Sequence, residues 1–428
     1  MLAVAYYILG CKVNQYETES IRVEMEKRGF RTVPFGSAAD VYIINSCTVT
    51  GVADGKSRKA IRAAIRKNPG ALVVVTGCYA HLHPEDIQSI PGVDLVVSNL
   101  EKEAIPDHII RHLPEQIMPC PTSLNTQHST LNLRRRTRAI IKIQDGCDNF
   151  CAYCAVPLAR SVLHSKPSVE ALAEVADLAG QGHKEIVLAG IRLGRYESDR
   201  LMLPGLIQQI CEVAGIERVR LSSIEPMEVT EELLRTVAEL PKVCRHLHIP
   251  LQSGDDEILR RMNRPYTAAG FAALASRAKE LIPELGLTTD VLVGFPGETE
   301  EQFGLTIKLV EEIKFSKLHV FRFSPRPGTA AEGMPERVPS AEVERRSKEL
   351  AHLGERLIRE FAERFVGRIV KVLVEGRRAE AGVLAGFTDN YVGAEFSGPA
   401  YLRGRIIEVK ALRAENGRLV GELDNLQQ

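Results

Sequence analysis

Apolar and polar positions in the first third of the chain alternate between two periods. Residues 3–9, 40–46 and 71–77 are apolar, largely β-branched runs of strand length. Residues 15–28, 51–67 and 101–111 instead carry charges at helical spacing around apolar positions. Strand then helix, repeated, predicts a parallel sheet with helices on its faces. A break follows over 113–138: Pro114, Pro119 and Pro121, a polar stretch, then Arg134, Arg135, Arg136 and Arg138. Beyond it the alternation resumes, with strands expected at 139–144, 185–190, 218–223, 245–250, 288–294 and 317–323. Helices at 168–181, 204–214, 229–239, 255–262, 270–283 and 298–313 fill the gaps. Six consecutive βα units predict a barrel or an open portion of one. A charged helix at 340–364 leads to short strands at 368–375, 382–387, 391–396, 405–412 and 418–422. Their glycine punctuation predicts a small β-barrel. The fold class is therefore α/β in three parts: an N-terminal parallel α/β sandwich over 1–128, a central partial (β/α) barrel with linker and trailing helix over 129–364, and a C-terminal β-barrel over 365–428.

Composition narrows this picture. The chain has 428 residues, 44% hydrophobic and 26% charged, enough for several buried cores. Its formal net charge is +0, so any nucleic-acid binding must come from local patches. One candidate is the arginine run before the central domain. Another is the segment Arg364 to Arg413, with nine Lys or Arg against five Asp or Glu. No apolar run reaches membrane-spanning length, so no membrane partner is expected. Nine cysteines are too few for a disulfide-built secreted domain. They fit reduced thiols in a cytoplasm, available to metal.

The cysteines carry the chemistry. Cys147, Cys151 and Cys154 stand in Asp145-Gly146-Cys147-Asp148-Asn149-Phe150-Cys151-Ala152-Tyr153-Cys154. Three thiolates hold three irons of a cubane and leave the fourth for another ligand, as a catalytic zinc site keeps one open position. Neither a second C-x-x-C pair nor a histidine completion appears, so iron–sulfur ligation outweighs structural zinc. The loop follows the first central strand and is expected at the carboxyl-end mouth of the barrel. Cys11, Cys47 and Cys78 follow the first, second and third N-terminal strands. Parallel strands bring their carboxyl ends to one edge, which predicts a second metal site there. The alternative is cysteine as a small apolar filler. Cys120, Cys211 and Cys244 match no motif. Gly294-Phe295-Pro296-Gly297-Glu298 lacks a phosphate-loop ending and reads as a strand-to-helix turn with Glu298 in the first helical turn. His246 and His248 share one face of the fourth central strand and read as barrel interior.

The cysteine triplet resembles the radical S-adenosylmethionine (SAM) signature. Leu9-Gly10-Cys11-Lys12-Val13-Asn14-Gln15, Asn45-Ser46-Cys47-Thr48-Val49-Thr50 and Thr76-Gly77-Cys78-Tyr79-Ala80 resemble the N-terminal domain of methylthiotransferases. The stretches Ile143 to Cys154, His248 to Gly254 and Asp290 to Thr299 are similar to that family's barrel, and Gly386 to Val392 resembles its RNA-binding TRAM module. Lys12-Val13-Asn14, Thr48-Val49-Thr50 and Ser222-Ser223-Ile224-Glu225-Pro226 look like the branch that acts on N6-threonylcarbamoyladenosine in tRNA. Two further branches act on N6-isopentenyladenosine in tRNA and on an aspartate of a ribosomal protein.

The resemblance implies two 4Fe-4S clusters and SAM. One cluster would sit on Cys147, Cys151 and Cys154 and bind SAM. The other, on Cys11, Cys47 and Cys78, would carry the sulfur that is methylated and then transferred to C2 of the adenine. The implied SAM contacts are Tyr153, Gly190, Glu225 and Gln252, with Asn14 and Arg326 near the second cluster and substrate. The implied partners are a tRNA anticodon stem-loop and an electron donor such as a flavodoxin or ferredoxin. After Cys154 the family pattern is altered: Arg160 is kept, but Ser161 replaces a glycine and His164 replaces a cation of fixed charge. The competing classes are a non-enzymatic iron–sulfur electron carrier or redox sensor, and an RNA-binding protein with structural zinc.

Overall fold

The computed structural model describes residues 1–113, 137–377 and 382–424. Most of the proline and arginine break, with Cys120, lies outside them. The chain forms two compact units. The first joins the N-terminal residues with two later segments, Gly146–Leu163 and Ser324–Glu332. The second holds the central strands and the C-terminal barrel.

In the first unit the elements are β1 (Ala3–Ile8), α1 (Lys12–Lys27), β2 (Arg31–Val33), β3 (Val41–Ser46), α2 (Gly51–Lys67), β4 (Leu72–Gly77), α3 (Cys78–Leu82), α4 (Pro84–Gln88), β5 (Leu95–Val96) and α5 (Ile105–His112). The sheet is parallel throughout, in the order β2-β1-β3-β4-β5. Successive residues bury on opposite faces, as the pleat requires. Ala3, Ala5, Tyr42, Ile44, Val73 and Val75 pack with Ile61, Ala64, Tyr79 and Ile87 of α2, α3 and α4. Val4, Val41, Ile43 and Val74 pack with Ile21, Met25, Ile105 and Ile109 of α1 and α5. Both faces are covered, which is why these strands read as continuous apolar runs rather than alternating ones. The short edge strands β2 and β5 were not expected from the sequence. Residues 99–104 form a 3-10 turn before α5 rather than part of one helix.

In the second unit, β6 (Arg138–Lys142) is followed by a two-rung antiparallel neck, β7 (Gln144–Asp145) and β8 (His164–Ser165). The chain between the rungs is the Gly146–Leu163 excursion, which includes α6 (Val156–Ala159) and belongs to the first unit. Next come α7 (Ser168–Gly180), β9 (Glu185–Ala189), the hairpin β10 (Glu197–Ser198) and β11 (Leu201–Met202), α8 (Leu203–Glu212), β12 (Arg218–Leu221), α9 (Glu231–Glu239), β13 (His246–His248), α10 (Asp256–Arg261), α11 (Ala268–Leu281), β14 (Gly286–Val293), α12 (Glu300–Ile313) and β15 (Lys317–Arg322). β6, β9 and β12 pair in parallel, as do β13, β14 and β15. Parallel bridges at Val219–Val243 and Ser223–His248 join the two trios of strands into one run of six. This is the expected open (β/α) barrel. Glu298 precedes α12 instead of lying in its first turn. Thr299 caps that helix with a capping box, and the buried Glu298 carboxylate accepts from Gly294 N at 2.8 Å and Arg346 Nη1 at 2.9 Å.

α13 (Ser340–Glu363) leads to β16 (Ile369–Arg377), β17 (Val383–Phe387), β18 (Gly393–Ser397), β19 (Ile406–Glu415) and β20 (Arg418–Leu423), a closed barrel in the order β16-β17-β18-β20-β19. Its Phe387–Val392 turn packs on the amino ends of the central strands. Arg220 Nη1 and Nη2 donate to Asp389 O and Thr388 O at 2.9 and 3.1 Å, while Arg220 Nε pairs with Glu185 at 2.7 Å. Tyr391 lies under the guanidinium groups of Arg138 and Arg220 and against His246. The stretch that most resembles an RNA-binding module thus spends Thr388, Asn390 and Tyr391 on an internal joint. His246 and His248 both meet Thr288 Oγ1, at 3.2 and 2.9 Å.

Two cysteine trios in one unit

β1, β3 and β4 are neighbours in the sheet, and Cys11, Cys47 and Cys78 follow their carboxyl ends directly. Strands about 4.8 Å apart deliver three thiols to one edge. Two glycines make the approach possible. Gly10 has φ +97, and a Cβ there would stand 3.1 Å from Cys47 Sγ. Gly77 has φ +100, and a Cβ would meet Ser46 O at 2.2 Å, so no larger residue fits. Burial pushes the Cys11 thiol pKa up, and Cys78 adds to the rise. Cys47 is pushed up to about 11 by burial, with Cys78 and Cys11 again adding. Cys11 is exposed to solvent, whereas Cys47 and Cys78 are buried.

A buried ionic network underlies this trio. α1 buries Asn14, Glu17, Thr18, Ile21 and Met25 along one helical stripe. Arg160 grips Glu17 with both terminal nitrogens, at 2.8 and 2.9 Å, and donates from Nη2 to Asn14 Oδ1 at 2.9 Å. Lys102 pairs with the same carboxylate and reaches Asn45 Oδ1 at 3.4 Å. Asn14 Nδ2 in turn donates to Leu9 O at 2.8 Å and Ser46 O at 3.1 Å, tying the chain ahead of Cys11 to the chain ahead of Cys47. Two basic side chains thus meet on one carboxylate beside the thiols. Arg160 acts to lower the Cys11 pKa against the larger effect of burial. Lys102 has its own pKa lowered by burial despite Glu17. The Arg160 charge favours thiolate over thiol at Cys11.

The second trio lies on the Gly146–Leu163 excursion of the same unit. Asn149 N donates to Cys147 Sγ and Val156 N to Cys154 Sγ, both at 3.4 Å. Cys154 N donates to Cys151 O at 3.0 Å, and Cys147 N to Arg160 O at 3.0 Å. Arg160 thus touches the backbone of one trio and the side-chain scaffold of the other. α6 packs on α3, the helix that Cys78 begins. Asn99 Nδ2 lies 3.7 Å from Cys78 Sγ and donates to Ala159 O at 2.9 Å.

The remaining candidates fall in three places. Tyr153 is half-buried on the excursion between two cysteines. Arg326 is buried in the first unit; its Nη1 binds Asp54 Oδ2 at 2.5 Å and Thr48 O at 3.3 Å, clamping the corner between Cys47 and α2. Gly190, Glu225 and Gln252 follow β9, β12 and β13 in the second unit. Gly190 faces Gln144, whose Cβ would be 3.0 Å from an added methyl. Glu225 pairs with Arg264. Gln252 adopts φ +64, unusual for a side-chain-bearing residue, and is held there by Asp290 O and Leu292 N, both at 2.9 Å. Sequence reasoning missed Glu17 and Lys102. Glu17 was signalled only by its helical spacing from Asn14; Lys102 carries no signal, because its partner lies far away in the chain.

Residues 3–98 match a family described as "Uncharacterized protein family UPF0004", and residues 141–310 match the Radical SAM superfamily. The chain is 40% identical to the Threonylcarbamoyladenosine tRNA methylthiotransferase MtaB of Bacillus subtilis, over 97% of this chain and 94% of that one. It belongs to the radical-SAM methylthiotransferases. A second relative of the same name, from Thermotoga maritima, is 38% identical over 97% of this chain and 96% of its own. A tRNA-2-methylthio-N(6)-dimethylallyladenosine synthase from Geotalea uraniireducens is 32% identical over 97% of both chains. Among solved structures, the radical S-adenosylmethionine methyltransferase TsrM of Kitasatospora setae superposes with TM-score 0.56 at 15% identity, covering 77% of this chain and 74% of that one, which is a likeness of fold.

SAM and 4Fe-4S clusters are the cofactors of radical-SAM methylthiotransferases. The donor sets suit such clusters: each trio is all-thiol, the soft set that iron–sulfur clusters take. Each also has an orphaned buried amide atom beside it, Asn149 Nδ2 and Asn99 Oδ1. Among the described residues no three His, Cys, Asp or Glu side chains are drawn together as around a single metal ion.

Proposed function

We propose that this chain installs a methylthio group on C2 of N6-threonylcarbamoyladenosine beside the anticodon of tRNA. One observation carries the reading. Three cysteines from three different strand ends gather at one sheet edge, in the same unit as a C-x3-C-x2-C loop. An electron carrier typically ligates each 4Fe-4S cluster with four cysteines and a structural zinc takes four ligands, so two all-thiol trios, each leaving one position open, favour the enzyme. The full-length likeness to proteins named for this reaction supports the substrate.

When bound, the clusters supply the electron that breaks a carbon–sulfur bond of SAM and the sulfur that is transferred, chemistry that acid–base groups cannot perform on an inert aromatic C–H. The chain supplies position. Cys147, Cys151 and Cys154 would hold one cluster and Cys11, Cys47 and Cys78 the other. Tyr153, Gly190, Glu225 and Gln252 would hold SAM, the last three from strand carboxyl ends where barrel enzymes place their chemistry. Asn14 and Arg326 would act by fixing the Cys11 and Cys47 loops. Arg160 and Lys102 would offset the negative charge of a thiolate-bound cluster. An anticodon stem-loop suits the task because its loop bases are already partly unstacked. A flavodoxin or ferredoxin as donor, a cytoplasmic location, and domains over 1–128, 129–364 and 365–428 complete the reading.

Nucleoside mass spectrometry of tRNA from a strain lacking this chain tests it. Loss of 2-methylthio-N6-threonylcarbamoyladenosine is expected. Loss of only the isopentenyl analogue moves the chain to the sister branch; loss of neither removes the proposal.

A further inference from the structure

α2 is unlike the other long helices of this protein. It carries Lys56, Arg58, Lys59, Arg62, Arg66 and Lys67, and one acid, Asp54, which is buried on Arg326. Among the described residues none of these six cations has an ion pair; Arg58 instead bonds Tyr79 OH at 2.7 Å. α13 is the opposite case. Arg345, Lys348 and Arg356 there each pair with glutamates. α1 likewise pairs Arg22 with Glu19 and Glu26. In a chain of zero net charge, an unpaired cationic face stands out.

The face has a direction. Val52, Lys56, Lys59, Arg62 and Arg66 follow one another at three- and four-residue steps and are all exposed, opposite the buried Ser57, Ala60, Ile61 and Ala64. α2 begins four residues after Cys47. At that end the surface is apolar, with Val49 51% and Val52 69% exposed. Farther out it is cationic for about 15 Å. Arg58 and Arg62 also border an open hollow of about 310 Å³ with Tyr79, Ser89 and Asp86; Asp86 is its one carboxylate. We propose that the exposed face of α2 is a track for the phosphate backbone of tRNA, with the apolar end beside Cys47 turned to the nucleotide being modified. This rests on the tRNA reading above. Phosphates are the ligands that unpaired, spaced cations recognise without sequence information.

The test is binding of a full-length tRNA transcript to cluster-loaded protein between about 50 and about 200 mM salt. The variant is Lys56→Gln, Lys59→Gln, Arg62→Gln and Arg66→Gln together. A matched control is Arg345→Gln, Lys348→Gln, Arg356→Gln and Arg359→Gln on α13. The α2 variant should bind roughly tenfold or more weakly at the lower salt, with the slope of log affinity against log salt shallower by about three. The control, having lost the same charge, should keep its slope. A smaller variant, Lys59→Glu with Arg66→Glu, should show the same loss if the larger one folds poorly. An unchanged slope in a variant with an unchanged melting temperature overturns the proposal. So does an unchanged slope accompanied by slower reduction by an acidic electron-transfer protein, which would give the face to the donor instead. Absence of tRNA binding by the unaltered protein would remove the functional reading as well.

Discussion

The two cysteine trios hold the same kind of ligand set by opposite means. Cys147, Cys151 and Cys154 are spaced by the chain itself, within eight residues, and held by amide-to-sulfur and turn hydrogen bonds. Cys11, Cys47 and Cys78 are spaced by sheet order, and held by the β1-β3-β4 adjacency, two glycines and a buried ionic network. A local trio can form before the rest of the fold and can flex after it. An assembled trio exists only when the sheet does, and it inherits the rigidity of a core buried on both faces.

The comparison can be broken first by deleting one ligand from each trio. Cys151→Ala should abolish both release of 5′-deoxyadenosine from SAM and methylthio transfer. Cys47→Ala should abolish transfer while SAM cleavage continues. Each variant should lose about half the bound iron, and equal loss of SAM cleavage in both would mean that the trios do not act separately. Arg160→Met should follow in size. It leaves Lys102 as the remaining cation on Glu17 and removes three buried charge-assisted hydrogen bonds to Glu17 and Asn14, at a cost of about 3 kcal/mol in urea unfolding. Arg160→Lys keeps the charge without the two-pronged grip and should lose less. Because Arg160 faces the assembled trio, the reduction potential of that cluster should fall in the methionine variant and largely recover in the lysine one.

Gly77→Ala is a finer probe. An alanine at φ +100 with Ser46 O in its path should cost about 2 kcal/mol or more and deplete iron from the assembled trio, leaving the local one filled. The smallest expected effect is on dynamics. Stripping the clusters under reducing conditions should speed amide exchange about tenfold in Gly146–Leu163, with little change in β1, β3 and β4. Equal acceleration in both would contradict the contrast in rigidity drawn above.

Much of this was legible from residues alone. The strand–helix alternation of both units was readable because strands buried on both faces are continuous apolar runs and the helices are amphipathic. The triplet was readable because its geometry is its spacing. The convergence of Cys11, Cys47 and Cys78 followed from one rule about parallel sheets. What could not be read were partnerships. Glu17 looks like an ordinary helical glutamate until Arg160, 143 positions away, is placed on it. Lys102 gives no sign that it is buried. Asn14 and Arg326 were singled out as lying near the second cluster, and the bonds by which they brace the loops of Cys11 and Cys47 came only from the structure. The Phe387–Val392 stretch resembles part of an RNA-binding module; what its sequence did not show is that its Thr388 and Asp389 carbonyls and its Tyr391 ring meet Arg220 and Arg138 within the second unit.

By itself, the sequence determined the periods of the elements, the local spacing of one set of thiols, and the positions at strand ends of the other. These are properties of neighbouring residues, and short-range geometry settles them. Tertiary structure alone decided which buried charges meet, which glycines let two loops close on each other, and which cations on α2 have no ion pair among the described residues. Those depend on which surfaces the chain brings together, and a buried charge is tolerated only where a distant partner happens to be waiting for it.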